Sequence, residues 1–206
     1  MTCPKVIHQL WIGDESKRPA NLMQSWKDMN PSCEYVLWTE EYLSIFGFIN
    51  QKQIDIMPEL NGKCDIMRWE ILQRCGGFFA DADSLCVNAL DDFFFEQDRF
   101  ACYENHSTSG NLVAMGFVGC SVDDELFKFA VDRIHSKNSF AGPAWVEVGP
   151  QLITDIIQEH PELPITIYPS HYFIPEHAHI WKYEGTDKIY SHHYGGSTYN
   201  LYGSLK

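Results

Sequence analysis

Two aspartates one residue apart, Asp81 and Asp83, close the run Cys75-Gly76-Gly77-Phe78-Phe79-Ala80-Asp81-Ala82-Asp83. An apolar segment running straight into paired carboxylates reads as a strand that delivers acids to its exposed end. In extended chain, side chains at i and i+2 point the same way, with Cα atoms roughly 6.5–7 Å apart. Both carboxylates can then approach one cation, directly or through a water. Oxygen ligands favour a hard divalent ion, Mg or Mn, and leave coordination positions open for the phosphates of a ligand. The plain alternative is an acidic turn with no ligand. The aromatic strand and the double glycine weigh against it, because they put the pair at a sheet's rim.

Three further groups could do chemistry. In Cys64-Asp65-Ile66-Met67-Arg68 an acid and a base stand three apart, on one helix face. Together they could grip vicinal hydroxyls; the alternative is a surface ion pair favoured by the helix dipole. Trp11 lies in His8-Gln9-Leu10-Trp11-Ile12-Gly13, at the end of a first apolar run. It could stack on a nucleobase, or simply fill the core. Near the far end, Ser191-His192-His193-Tyr194-Gly195-Gly196-Ser197 offers imidazoles that could complete a metal shell and a hydroxyl that could bond a phosphate. Adjacent histidines on a strand face opposite ways, so only one of His192 and His193 should reach the site. His171, His177 and His179 show no ligand spacing and read as loop residues.

The elements that must position these groups alternate in type. Val6–Trp11 reads as a buried strand, Asn21–Met29 as a helix stopped by Asn30-Pro31, and Glu34–Trp38 as a strand followed by Thr39 as an N-cap. Cys64–Cys75 reads as a helix closed by Gly76-Gly77, and Phe78–Ala82 as the strand carrying the acids. Strands at Phe100–Tyr103, Leu112–Val118, Ile165–Tyr168 and Ile189–His193 and helices at Asp123–His135 and Pro150–Glu159 follow. This order predicts an α/β fold, a Rossmann-like, mostly parallel central sheet flanked by helices. In such sheets ligands sit beyond the carboxyl ends of the strands, just after Ile12, Trp38 and Ala80.

The chain has 206 residues and 45% hydrophobic content, enough for one domain. Lys plus Arg is 15 against 28 for Asp plus Glu, a formal charge of -13. Such a surface repels nucleic acid and anionic lipid, and an anionic substrate would need a local positive centre such as a bound metal. The seven cysteines are scattered without a CxxC, which predicts reduced thiols in a reducing compartment. Neither a signal peptide nor an integral membrane segment is visible, so a soluble, cytoplasmic protein is expected.

Taken in order, Ile7-His8-Gln9-Leu10-Trp11-Ile12-Gly13, Asn30-Pro31, Tyr35-Val36-Leu37-Trp38, Cys64–Leu72 and Gly76–Asp83 resemble the DXD-motif sugar transferases. That group includes capsular-polysaccharide transferases, initiating mannosyltransferases and small virus-encoded members. The match covers about the first 90 residues and continues weakly through Val148-Gly149-Pro150 and His192–Ser197. It departs at Ser197-Thr198, where the family often has Ser-Trp, and at Phe78-Phe79, where a Tyr is usual.

The resemblance implies a single-domain A-type glycosyltransferase fold over 1–206. Residues 1–90 would bind the nucleotide sugar, and 91–206 would carry the acceptor side and the C-terminal metal-site elements. It implies a Mn or Mg cofactor held by Asp83 and Asp81 with His193 or His192. Donor contacts would come from Trp11, Ile12, Gly13, Asp65, Arg68, Asp81 and Ser197. A hexose or deoxyhexose, first from a UDP-sugar, would pass to a hydroxyl of a glycan or glycoprotein. Inversion would need a general base, for which Glu147 and Glu104 are candidates. Two other readings compete: a haloacid-dehalogenase-like phosphatase with Asp81 as nucleophile, and a sugar-nucleotide-binding module without turnover.

Overall fold

The computed structural model describes residues 1–105, 110–177, 181–196 and 198–205. The first half runs β1 (Val6–Leu10), α1 (Ala20–Met29), β2 (Glu34–Trp38), α2 (Glu40–Phe46), α3 (Gln51–Ile56), α4 (Leu60–Cys75), β3 (Gly77–Ala80) and β4 (Ser84–Cys86). The second runs α5 (Asp92–Phe95), β5 (Arg99–Tyr103), β6 (Val113–Cys120), α6 (Glu125–His135), α7 (Ala144–Glu147), α8 (Pro150–Glu159), β7 (Thr166–Tyr168), β8 (Glu176–His177), β9 (Trp181–Lys182) and β10 (Ser191–His193).

Among the described residues, six strands form the central sheet in the order β2-β1-β3-β6-β5-β7. β1 pairs in parallel with β2 and β3, and β5 with β7, while β6 runs antiparallel between β3 and β5. Both faces are covered, which explains the unbroken Phe78-Phe79 pair. Successive strand residues face opposite ways. Phe79 enters the core packed by Ile66, Trp69, Leu72, Phe127 and Ile153. Phe78 enters an aromatic core with Trp26, Phe100, Phe117 and Phe173. Burying each such ring contributes about 1.5–3 kcal/mol.

Three expectations are corrected and one helix is added. α4 starts at Leu60, about a turn before Cys64. α3 carries no apolar stripe in its sequence, only Gln53 and Ile54 being buried, and so escapes a periodicity reading. β6 reaches Cys120. β3 stops at Ala80, so Asp81 to Asp83 lie in a turn rather than in extended chain. All seven cysteines are free thiols. Among the described residues, no helix is long and apolar enough to cross a membrane.

The double glycine lets β3 press against β1. Gly76 ends α4 at φ 63, and a Cβ there would sit 2.8 Å from Val122 N. Gly77 has φ 95, and its Cβ would meet the His8 ring at 2.8 Å. His8 is buried under this turn. Its Nε2–H donates to Gly76 O at 2.8 Å, and its Nδ1 accepts from Trp38 Nε1 at 3.1 Å. Both nitrogens are used, in one neutral tautomer, and burial lowers the imidazole from 6.5 to about 4. The unfolded chain takes up this proton near pH 6.5, the folded chain only near 4. The stability from neutral His8 is therefore complete above pH 6.5 and falls as pH drops toward 4, by about 3 kcal/mol in total. Urea midpoints across that window should fall more steeply for wild type than for His8→Gln; parallel curves would remove His8 as the cause.

Candidate active site

The acids of the turn after β3 are brought together by backbone bonds. Asp81 N donates to Gly116 O at 3.0 Å, and Ser84 N returns to Asp81 O at 3.2 Å. The second bond closes a four-residue turn. The Asp81 carbonyl also accepts from Gln9 Nε2 at 3.1 Å and from Ser84 Oγ at 2.5 Å. The turn carries the Asp83 side chain inward until it is buried and accepts from Gly196 N. β10 pairs with β4, setting His193 opposite Ser84. His193 Nε2 then lies 3.4 Å from Asp81 Oδ2 and 3.3 Å from Asp83 Oδ1. His192, its neighbour, turns to a separate cavity. The two acids thus converge by turn geometry, not by the strand alternation expected from sequence.

Arg68 supplies the remaining positive charge. Its Nη2 donates to Asp81 Oδ1 at 2.5 Å, its Nη1 donates to Met115 O, and Asp65 Oδ1 lies 3.4 Å away. Its side chain is only 7% exposed, so the Asp65–Arg68 pair is not a surface bridge. Burial alone would raise the Asp81 carboxyl, but Arg68 and His193 together hold it well below the usual range. Burial works against a charged His193, yet Asp83 and Asp81 raise it well above its usual value. Asp65, more completely desolvated, is pushed up to about 7 despite Arg68.

Two carboxylate oxygens and one imidazole nitrogen, from Asp81, Asp83 and His193, lie within 4.8 Å of one another. That donor set fits one divalent cation. The positive charge such an ion would supply falls to His193 and Arg68 here, because acids this close cannot share a site uncompensated.

The cluster forms one wall of a cavity of about 750 Å³. Trp11, Ile12, Asp65 and Arg68 also line it, so four of the sequence candidates meet the Asp81, Asp83 and His193 cluster here. Trp11 is buried beside Met23 and Ala82, with the Tyr202 ring edge-on at 5.0 Å. Its indole N–H has no partner among the described residues.

Other candidates are not brought in. Gly13 lies outside the lining and donates its N–H to Glu40 at 3.1 Å. Glu147 is also outside, clamped by Lys137 at 2.5 Å and by Gly142 N at 3.0 Å. Those bonds turn it toward its own loop, whereas Glu104 lines the cavity. Ser197 and His179 lie outside the described residues.

Sequence reasoning passed over Gly116, Lys17, Trp145 and Thr198, all of which line the cavity. Gly116 had a signal: an isolated glycine in an apolar strand often marks a close approach. A Cβ there would sit 2.2 Å from Asp81 Oδ2.

Residues 2–136 match the family model of the capsular polysaccharide synthesis proteins, a span reaching from before β1 through α6 and including the Asp81–Asp83 turn. The chain belongs to that family. The chain is 34% identical over 93 residues to inositol phosphoceramide mannosyltransferase 3 of Schizosaccharomyces pombe, a match covering 43% of the chain and 26% of the relative. It spans less than a third of the length of the fission-yeast relatives it matches. An uncharacterised glycosyltransferase of Acanthamoeba polyphaga mimivirus is 22% identical over 84% of the chain and 73% of its own length. A solved glycosyltransferase involved in glycosylation of the major capsid of PBCV-1 superposes with a TM-score of 0.60, 12% identity and 97% of each chain covered. The chain therefore has the A-type glycosyltransferase fold that the resemblance implied.

Proposed function

We propose that the chain is a metal-dependent glycosyltransferase domain that moves a hexose or deoxyhexose from a nucleotide sugar to a hydroxyl of a glycan or glycoprotein. The observation that carries this reading is the convergence of Asp81, Asp83 and His193 on the wall of an acid-rich cavity. Asp14, Asp65, Asp81, Asp83 and Glu104 all line it, against Arg68, Lys17 and His193. A diphosphate entering such a cavity needs added positive charge, which Mn or Mg would bring.

Asp83, Asp81 and His193 would hold the ion. When bound, it offsets the negative charge that builds on the diphosphate as the sugar–phosphate bond breaks. The electron pair of that bond leaves with the diphosphate, the acceptor oxygen bonds to the anomeric carbon, and the acceptor hydroxyl passes its proton to the Glu104 carboxylate that lines the cavity. Arg68 keeps Asp81 ionised and aimed at the cluster. Asp65, on the same helix face, accepts donor-sugar hydroxyls. Trp11 and Ile12 form the wall for the base. UDP-hexose is the first donor to test, and GDP-mannose the second because the fission-yeast relatives are named as mannosyltransferases. Asp81 is poorly suited to be a phosphatase nucleophile, since Arg68 and His193 engage its two oxygens.

A thermal-shift screen of nucleotide sugars tests the reading. Ligands selective for the folded state raise its stability by about 2.7 kcal/mol at 100 times Kd. The donor should raise the melting temperature with manganese present and do so weakly or not at all in chelator. In Trp11→Ala the donor Kd should rise by about tenfold, the lower half of the roughly 1–3 kcal/mol expected for stacking on a base. A metal-independent shift, or hydrolysis of p-nitrophenyl phosphate without use of nucleotide sugars, would discard the proposal.

A further inference from the structure

A second cavity, of about 410 Å³, adjoins the first. The two share Glu104, Ile174, His193, Gly195 and Thr198 as a common wall. The side away from the metal cluster is carried by His177 on β8, by His192, and by Tyr194, Tyr199 and Leu201.

Three observations give this space a chemical character. First, Glu104 borders both cavities, and its side chain stays 23% exposed. Its amide donates to Leu112 O at 2.8 Å, which holds the backbone of Glu104 just after the end of β5. Second, His177 Nε2 stands 4.0 Å from Glu104 Oε1, while its Nδ1 is buried without a partner among the described residues. Third, Tyr194 and Tyr199 remain 37% and 44% exposed beside it. The Tyr199 ring crosses Gly195, where a Cβ would come within 2.7 Å of it; Gly195 has φ 63 and leaves the ring room. Exposed aromatic faces with a carboxylate and an imidazole at one end suit a pyranose ring. Its C–H faces pack on tyrosine, and its hydroxyls bond the polar groups.

We infer that the second cavity seats a pyranoside acceptor, whose reacting hydroxyl is held by Glu104 at the wall shared with the donor cavity, with His177 orienting Glu104 and Tyr199 carrying the ring. This rests on the glycosyl-transfer reading. Glu104 stands between the two spaces, so a hydroxyl bonded to it faces the sugar that the metal-side residues hold. His177 is a positioning residue. Its effect passes through the carboxylate and through any acceptor hydroxyl that its Nδ1 meets.

The experiment uses manganese and whichever nucleotide sugar most raises the melting temperature in the screen above. Nucleotide release is followed with methyl α-D-mannopyranoside, methyl α-D-glucopyranoside and methyl β-D-galactopyranoside as acceptors. At least one should speed release tenfold or more over water. Tyr199→Ala and His177→Ala should raise that acceptor's KM tenfold or more while the donor KM stays within twofold. Glu104→Gln should lower kcat at saturating acceptor by tenfold or more, and His177→Asn should recover part of what His177→Ala loses. Tyr199 is surface-exposed, so its variant keeps the core intact, and melting temperatures check the others. No stimulation by any of the three glycosides overturns the assignment. So do variants that raise donor and acceptor KM equally. If wild type releases no nucleotide from any nucleotide sugar with metal, glycosyl transfer itself falls, an outcome distinct from either.

Discussion

Asp83→Ala is expected to fold and to lose metal-dependent turnover by about 10³-fold or more, roughly 4 kcal/mol of barrier. The argument rests on how few groups make the cluster. Asp81, Asp83 and His193 are its three donors, and Asp83 is the most buried of them. Removing one carboxylate takes away a ligand and a negative charge, and leaves His193 facing Asp81 alone. The fold should survive, because the link that ties the last loop to the turn is partly backbone: Tyr194 N donates to Asp83 O at 3.1 Å, and substitution leaves that bond in place. The lost bond from Gly196 N to the side chain costs on the order of 1 kcal/mol. Asp83→Asn separates the two effects, since it keeps an acceptor for Gly196 and loses the charge. Manganese titration and single-turnover rates on both variants, beside their melting curves, make the comparison. Turnover in Asp83→Ala within tenfold of wild type would contradict the metal role.

Arg68→Met should produce the largest loss of stability, about 3–5 kcal/mol in chelator, because it strands Asp81 and Asp65 without their buried partner. For a chain of this size each kcal/mol lowers the melting temperature by roughly 2–4 °C, so a fall of about 10 °C is expected. The same substitution carries a sharper signature. Arg68 and the cation would both neutralise Asp81, so manganese should return part of the lost stability to Arg68→Met and give a larger shift there than in wild type. Equal shifts in the two proteins would mean that the guanidinium and the metal do not share that carboxylate. A deficit under 1 kcal/mol in chelator would mean that the bridge is idle.

How much of this could be read from sequence depended on the distance over which each contact is made. The strand into Asp81, the helix face shared by Asp65 and Arg68, and the Trp11 run are local patterns, and all of them reach the cavity. The rule that adjacent histidines face opposite ways limited the set to one of His192 and His193. Which one was decided by the β4–β10 register, and no local signal encodes a pairing across more than 100 residues. The partner of Arg68 was invisible for the same reason, because Asp81 and Met115 O come from other elements. Glu147 looked as eligible as Glu104 until Lys137 and Gly142 were found holding it away. The acids were expected to align along a strand. They meet through a turn, because β3 ends at Ala80, two residues before the expected end at Ala82.

The bond from Gly196 to Asp83 joins residues 113 apart in the chain. On a ribosome adding about 5–20 residues per second, the acids emerge on the order of ten seconds before the strand bearing His193. For that interval a nascent chain has Asp81 and Asp83 but no imidazole to join them. Arg68 emerges just ahead of both, from the helix that feeds directly into β3. The guanidinium can thus chaperone Asp81 from the start, and on the proposed reading a complete cation site would form only when the last short strand docks. Newly made protein should acquire manganese in step with burial of His193, later than the central sheet acquires protection from hydrogen exchange.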